Sequence, residues 1–254
     1  MRNCTTVMVL FALFALAFGT TANAAVVYNF WAGTADPDGT LAKAPDTSTL
    51  KKWNTHTQGG AQDPWPDESG DLLNSAGVDD GVDWLMDSQG YKAVSGSQGG
   101  GIALLTSYLV GQPSSTVYPT FVMEITGLDN GYTYDLYVYS NNNYGSYDTR
   151  FAVTTGTLSG VSEAYINSTH NSASYVLADA ANDATNPGEN YFLFEDITPA
   201  SGEIAFQWGC ASGTNRPVFT GFQLHGAPVP EPSSLALLGI GLLGLLGFGR
   251  RRRR

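Results

Sequence analysis

The sequence is poor in cysteine and in basic residues. Only two cysteines, Cys4 and Cys210, occur among 254 residues. Twelve Lys and Arg stand against 23 Asp and Glu, which gives a formal net charge of −11 at pH 7. A surface this acidic repels phosphate backbones, so the composition argues against nucleic-acid binding. So few cysteines also exclude a disulfide framework as the source of stability.

The basic residues that are present lie mostly at the C-terminal end. Five of the twelve form an unbroken run, Arg250 to Arg254. Between the two ends, six basic residues face 22 acidic ones, a balance of −16. This charge favours solubility and the attraction of Ca²⁺.

Familiar catalytic patterns are also missing. The sequence has three histidines, no H-E-x-x-H and no G-x-S-x-G, so the signatures of zinc and serine hydrolases are absent. We therefore expect no enzymatic activity and assign no catalytic residue. The alternative is a secreted polysaccharide-acting hydrolase or lyase, because two carboxylates about 5–10 Å apart suffice for glycoside hydrolysis. The glutamates open to that role are Glu124, Glu163, Glu189, Glu195 and Glu203.

Residues 1–24 have the pattern of a secretory signal peptide. Arg2 supplies the positive start and Val7–Phe18 the apolar stretch. Ala22-Asn23-Ala24 is a small-residue cleavage site, which predicts a cut before Ala25. The alternative interpretation is an uncleaved membrane anchor.

Removal of the signal peptide would leave one cysteine. Cys4 lies within the removed segment, and Cys210 ends an alternating run with Ile204, Phe206 and Trp208. This register predicts a buried and inert thiol.

The other end of the chain predicts a membrane span. Every residue from Leu235 to Phe248 is Leu, Ile, Ala, Phe or Gly, so a transmembrane helix is expected at about 233–249. The basic tail at 250–254 is costly to translocate and should stay cytoplasmic. Everything before Val229 would then lie outside the cytoplasm.

Three features at this end resemble the PEP-CTERM sorting signal: a V-P-E-P stretch, a short Gly/Leu-rich span and a terminal arginine cluster. The resemblance implies export, transient anchoring, processing by an exosortase-type membrane enzyme, and delivery to the envelope surface or the extracellular polysaccharide matrix. A permanent single-span anchor is the alternative. The residues that carry the resemblance are Val229, Pro230, Glu231, Pro232, Arg250, Arg251, Arg252, Arg253 and Arg254.

Residues 25–228 predict an all-β ectodomain, an antiparallel β-sandwich or jelly roll. Short alternating runs separated by Gly, Asn and Asp turns recur, and no long helical pattern does. The clearest run, 132–140, places Tyr132, Tyr134, Leu136 and Val138 on one face. Strands are predicted at 26–32, 82–87, 91–95, 118–128, 132–140, 147–155, 190–198, 202–208 and 216–226.

Four further expectations concern the connections. Ser88-Gln89-Gly90 predicts a hairpin between the strands at 82–87 and 91–95. Residues 34–73 have the composition of a long loop region, and 103–110 is the one stretch compatible with a helical turn or two. A short stiff linker is expected at 227–230.

Much of residues 118–226 is similar to the galactose-binding-like jelly rolls of secreted bacterial proteins, which often close on a strand resembling "FTGFQL". The resemblance implies carbohydrate binding, often with a structural Ca²⁺. Fold alone does not settle function.

Sugar binding requires a flat aromatic face beside polar groups, and five residues in or near polar loops meet that requirement. Arg150 has an alternative partner in Asp135 or Asp148, and the loop aromatics equally suit a core-capping role. Trp31, Trp84 and Trp208 lie in predicted strands and are expected in the core. The candidate ligand-binding residues are Trp53, Trp65, Tyr144, Tyr147 and Arg150.

Two acidic loops are candidates for structural Ca²⁺. Asp36 and Asp38 fall in "ADPDG", and Asp79, Asp80 and Asp83 fall in "VDDGVD". Ca²⁺ takes six to eight oxygen ligands, often from such loops. Acidic turns without metal are the alternative.

Overall fold

A computed structural model describes residues 25–32, 53–55, 67–87, 92–95, 108–111, 121–141, 147–168, 175–179, 188–210 and 217–229. Every regular element in these ranges is a strand, as the sequence predicted. The strands are β1 (Val26–Trp31), β2 (Asn54–Thr55), β3 (Glu68–Asp71), β4 (Asp83–Asp87), β5 (Lys92–Ser95), β6 (Tyr108–Gly111), β7 (Phe121–Thr126), β8 (Tyr132–Tyr139), β9 (Tyr147–Thr155), β10 (Glu163–Ser168), β11 (Tyr191–Ile197), β12 (Ile204–Cys210), β13 (Val218–Phe219) and β14 (Gly221–Pro228).

Two main sheets carry most of these strands. The first sheet has the order β11-β8-β14-β1-β2, and the second has the order β10-β9-β12-β7-β4-β3. Pairing is antiparallel throughout both sheets except between β1 and β2. A smaller third sheet has the order β13-β6-β5.

The two main sheets pack face to face through one aromatic core, which confirms the β-sandwich class. Phe30 of the first sheet meets Trp84 of the second edge to face, with ring centroids 4.9 Å apart. Phe222 and Phe206 make a second T-shaped contact across the interface at 5.6 Å. Such pairs add about 0.5–1.5 kcal/mol each beyond the area they bury.

The alternation predicted for the clearest strand is confirmed. In β8 the side chains of Tyr132, Tyr134, Leu136 and Val138 are all buried on the core side. Trp31, Trp84 and Trp208 are also buried, as predicted from their strand positions. Cys210 is a correction: it remains a thiol but is only half-buried, because it is the last residue of β12.

Three predictions about connections are wrong. β4 pairs with β3 and β7, whereas β5 pairs with β6, so the predicted 82–87/91–95 hairpin does not form. Tyr108–Gly111 is a strand and not a helical turn, because its backbone pairs with both β5 and β13. The predicted loop region at 34–73 contains β2 and β3.

A second hydrophobic cluster lies on the outer face of the first sheet. It consists of Trp31, Trp53, Tyr139 and Tyr191. Beside it the Tyr139 hydroxyl donates to Gln223 Oε1 at 2.7 Å, and Gln223 Nε2 donates to Asn29 Oδ1 at 2.6 Å. Gln223 and Asn29 are fully buried, so this part of the outer face is covered.

Among the described residues, no helix is long and apolar enough to span a membrane. The span predicted at about 233–249 lies outside those residues.

Candidate functional site

Both ends of the folded domain leave from the same end of the sandwich. β1 and β14 are antiparallel neighbours, and Val26 pairs with Gly226. Ala25, the predicted first residue after signal cleavage, is exposed at the start of β1. We call this end the exit end. The cleavage-site residues Ala22 and Ala24 lie outside the described residues.

The last strand continues up to the predicted sorting motif. Ala227 and Pro228 belong to β14 and pair with Thr133 and Tyr132, so the linker predicted at 227–230 is wrong for these two positions. The backbone N–H of Val229 then donates to the carbonyl oxygen of Gly131 at 2.8 Å. The remaining sorting residues, Pro230, Glu231, Pro232, Arg250, Arg251, Arg252, Arg253 and Arg254, lie outside the described residues.

The turn that holds Val229 is braced by its own side chains. Asp129 Oδ1 accepts the N–H of Gly131 at 2.8 Å, and the N–H of Asp129 donates to the Tyr134 hydroxyl at 3.1 Å. Asn130 Oδ1 accepts the N–H of Gly202 at 2.8 Å, which ties the turn to the β11–β12 connection. Burial raises the pKa of Tyr134 to about 12, so its hydroxyl stays protonated.

The acidic loop at 79–83 also lies at the exit end, and two of its carboxylates accept hydrogen bonds from neighbouring protein groups. Asp80 Oδ2 accepts the Tyr28 hydroxyl at 2.9 Å, and Asp79 Oδ1 accepts the N–H of Gly81 at 3.0 Å. Burial, and then the bond to Asp80, raise the pKa of Tyr28 above its ordinary value. Asp83 is exposed in β4.

Within the described ranges, no three His, Cys, Asp or Glu side chains gather in a way that could hold a metal ion. The other predicted Ca²⁺ loop, with Asp36 and Asp38, lies outside those ranges. Ca²⁺ binding stays a prediction.

The predicted sugar-binding residues do not form one site. Trp53 is 1% exposed and packs in the second hydrophobic cluster, so its ring offers no flat face to solvent. Tyr147 begins β9, on the strand of Arg150. Trp65 and Tyr144 lie outside the described residues. Among the residues predicted to bind sugar, Arg150 is therefore the one whose side-chain contacts are described and whose side chain is partly exposed to solvent.

Arg150 lies on the outer face of the second sheet and binds Glu163. Arg150 Nη2 and Glu163 Oε2 are 2.5 Å apart, with the side chains 42% and 37% exposed. The partner is thus neither Asp135 nor Asp148, as the sequence had suggested, because β10 pairs with β9 and brings Glu163 alongside. The Tyr165 hydroxyl donates to the second carboxylate oxygen, Glu163 Oε1.

These contacts favour the protonated guanidinium of Arg150, the ionised carboxylate of Glu163 and the neutral hydroxyl of Tyr165. The hydrogen bond from Arg150, and then that from Tyr165, hold the pKa of Glu163 below its usual value. The same carboxylate raises the pKa of Arg150 and of Tyr165. At neutral pH the site is therefore a guanidinium, a carboxylate and a neutral phenol in fixed contact.

Open space lies beside Arg150. Its cross-strand neighbours are Tyr165 on β10 and Gly209 on β12. A Cβ placed on Gly209 would meet no other heavy atom within 4 Å. Glycine in a strand interior often marks a place where a ligand approaches the backbone closely. There is therefore room for at least a methyl group over Gly209, beside Arg150.

Sequence reasoning missed Tyr165 and Gly209 as site residues, and it named Glu163 only among the glutamates open to a hydrolase role. The run "EAYINS" at 163–168 alternates, with Ala164 and Ile166 buried, and this signal was available. The pairing of this run with β9 could not be predicted, because the register of two strands joined by a seven-residue connection depends on the geometry of the turn.

The C-terminal end matches a known sorting signal: residues 228–254 match the PEP-CTERM protein-sorting motif. The match confirms the resemblance at this end of the chain. It implies export, membrane anchoring before processing, and processing by exosortase. Neither a curated protein nor a solved structure matches the chain, so the similarity of residues 118–226 to galactose-binding-like jelly rolls stays a prediction.

Proposed function

We propose that this chain, exported and sorted through its PEP-CTERM motif, is a non-enzymatic surface or matrix component that binds polysaccharide on the outer face of its second sheet. The observation that carries the proposal is the Arg150–Glu163–Tyr165 contact beside the open position at Gly209. The proposal includes a signal peptide at 1–24 and a membrane helix at about 233–249.

The chemistry of the three side chains suits a polyhydroxylated ligand. A guanidinium has five N–H donors in a planar fork, and the bond to Glu163 uses one nitrogen of Arg150. Glu163 accepts hydrogen bonds, and the half-buried ring of Tyr165 is fixed by its hydroxyl. A sugar ring needs such donors, acceptors and an apolar face in a small area.

The small residues around Gly209 leave room for that ring. On the same face of β12, the residue two positions before Gly209 is Gln207, an amide with donors and acceptors of its own. Gln207 is paired across the strands with Ala152 of β9, which, like Gly209, is a small residue. The outer face near Arg150 therefore combines small and polar side chains, which suits a polyhydroxylated ligand.

The protonation state of Glu163 argues against a role as the general acid of a glycosidase. The general acid of a glycosidase must carry a proton, which usually requires a raised pKa. Arg150 and Tyr165 instead lower the pKa of Glu163 and keep it ionised. In the proposed site this charged carboxylate would accept hydrogen bonds from hydroxyl groups and would not protonate a leaving group.

Titration of the purified protein against neutral and acidic polysaccharides tests the proposal. Gly209→Phe should fill the open space and weaken binding at least 10-fold. Gly160→Phe is the matched control, because a Cβ there also meets nothing within 4 Å and the residue lies in a loop. Equal binding by both variants contradicts the site. Release of reducing ends or unsaturated products would instead support the hydrolase or lyase alternative.

Sorting has its own test. A reporter fused before Val229 should be active only outside the cytoplasm. Changing Glu231, or deleting Arg250–Arg254, should alter the size or the location of the mature protein in a host with exosortase. Unchanged size and location would leave only a permanent anchor.

A further inference from the structure

The sorting motif and the folded domain share residues. The matched motif begins at Pro228, and Pro228 is the last residue of β14. Val229 follows and is hydrogen-bonded to Gly131. β14 lies between β8 and β1, so the motif emerges from an interior strand of the first sheet and not from a frayed edge.

The chain between this anchored residue and the bilayer is short. The proposed membrane helix begins at about residue 233, and four residue steps of fully extended chain span at most about 14 Å. The predicted signal peptide would join the domain at Ala25, beside the same strand pair. Both hydrophobic segments therefore connect to the exit end of the sandwich.

Exposed apolar side chains are present at the exit end. Among the described residues five large hydrophobic side chains are exposed, and two of them, Val176 and Leu177, lie at the opposite end. The other three are Val78, Val161 and Val229, which are 54%, 53% and 45% exposed. These valines lie in the β3–β4 loop, in the β9–β10 loop and at the chain's exit. All three segments lie at the exit end, because β4, β7, β9 and β12 pair in the registers that bring them together.

We propose that, before processing, the exit end of the sandwich faces the bilayer directly, held there by the pairing of Pro228 and Val229 with the Tyr132 end of β8 and with Gly131. The inference rests on the sorting motif and on the proposed membrane helix, not on glycan binding. The sorting enzyme then works beneath a folded domain, with at most about 14 Å of chain between the domain and the membrane helix. The outer face of the second sheet, a side wall of the sandwich, stays open to the exterior.

Fluorescence quenching of two labelled positions tests this orientation. The full chain is expressed without exosortase, with Cys4→Ala and Cys210→Ala, and reconstituted in phosphatidylcholine vesicles whose headgroups carry a nitroxide quencher. One variant carries a fluorophore at Val161→Cys and the other at Leu177→Cys. Both native residues are 53% exposed, but Leu177 lies at the opposite end, where it bridges to Tyr191.

We expect the label at position 161 to be quenched at least about 2-fold more than the label at position 177. Insertion of 12 Gly/Ser residues between Val229 and Pro230 should remove most of that difference. Equal quenching at native spacing, stronger quenching at position 177, or failure of the chain to float with vesicles would overturn the proposal. A difference that survives the insertion would overturn the short tether as its cause. Glycan titration of the same preparations reports separately on the proposed binding face.

Discussion

The outer face of the first sheet is buried around Gln223, whereas the outer face of the second sheet is partly exposed around Gln207. Gln223 on β14 is fully buried and bonded to Tyr139 and Asn29. Gln207, the glutamine at a comparable place on β12, is only half-buried. The difference lies in what covers each face: the second hydrophobic cluster packs beside Gln223, and Gln207 is left partly open to solvent.

The two glutamines give the sharpest test of this contrast and the largest expected effect. Gln223→Ala removes a fully buried side chain that bridges two strands, so the free energy of unfolding should fall by about 3 kcal/mol. Gln207→Ala should change it by less than about 0.5 kcal/mol. Urea denaturation of both variants measures the difference. Equal destabilisation by the two substitutions would mean that the outer face of the second sheet is also covered around Gln207.

Two glycines, Gly221 on the first sheet and Gly209 on the second, differ in the space around them in the same way as the two glutamines. A Cβ on Gly221 would lie 2.3 Å from the carbonyl oxygen of Phe30, whereas one on Gly209 meets nothing within 4 Å. Gly221→Ala should therefore destabilise the protein by about 2 kcal/mol, because backbone must shift to make room. Gly209→Ala should be neutral or stabilising by up to about 1 kcal/mol, since Ala is less costly than Gly in a strand.

Thermal unfolding of both alanine variants checks the prediction. A destabilised Gly209→Ala protein would show that the space beside Arg150 is needed by the fold, which would weaken its assignment to a ligand.

Much of this architecture was predictable from alternation. β8 and β9 were placed correctly because each has a long run with apolar residues on one side, such as Leu136 and Phe151. β3 and β10 were missed. β3 has the sequence ESGD and lies at the edge of its sheet, so no buried face marks it in the sequence.

The partners of the strands were less predictable than the strands. The turn signal at Ser88-Gln89-Gly90 is local, but β4 takes its partner β7 from almost 40 residues later in the chain, and packing of Trp84 against Phe30 favours that arrangement. The site has the same limitation: Arg150 was identified from its charge, but its partner Glu163 was not, because the pairing depends on strand register.

The Arg150–Glu163 pair should matter more for binding than for stability. Both side chains are more than one-third exposed, and exposed ion pairs contribute about 0–1 kcal/mol. Arg150→Ala should therefore lower the free energy of unfolding by no more than about 1 kcal/mol while abolishing polysaccharide binding. Arg150→Lys, which keeps the charge but loses the planar fork, should restore stability more than affinity. Loss of more than about 2 kcal/mol would make the pair structural.

The smallest expected effect is the pH dependence of stability that Glu163 contributes on the outer face of the second sheet. The folded-state pKa of Glu163 is lowered from 4.5, so its contribution to stability is fully present above that value and is lost as the pH falls through the folded-state pKa. Solvent screening limits the contribution to about 1 kcal/mol or less. Unfolding free energies measured from pH 6 down to pH 3 should fall less steeply for Glu163→Gln than for the native chain.

The buried Tyr139–Gln223–Asn29 group on the first sheet has no carboxylate. Tyr139→Phe should therefore lower the free energy of unfolding by a similar amount at every pH in that range. A loss that depends on pH in this variant would contradict the contrast between the two faces.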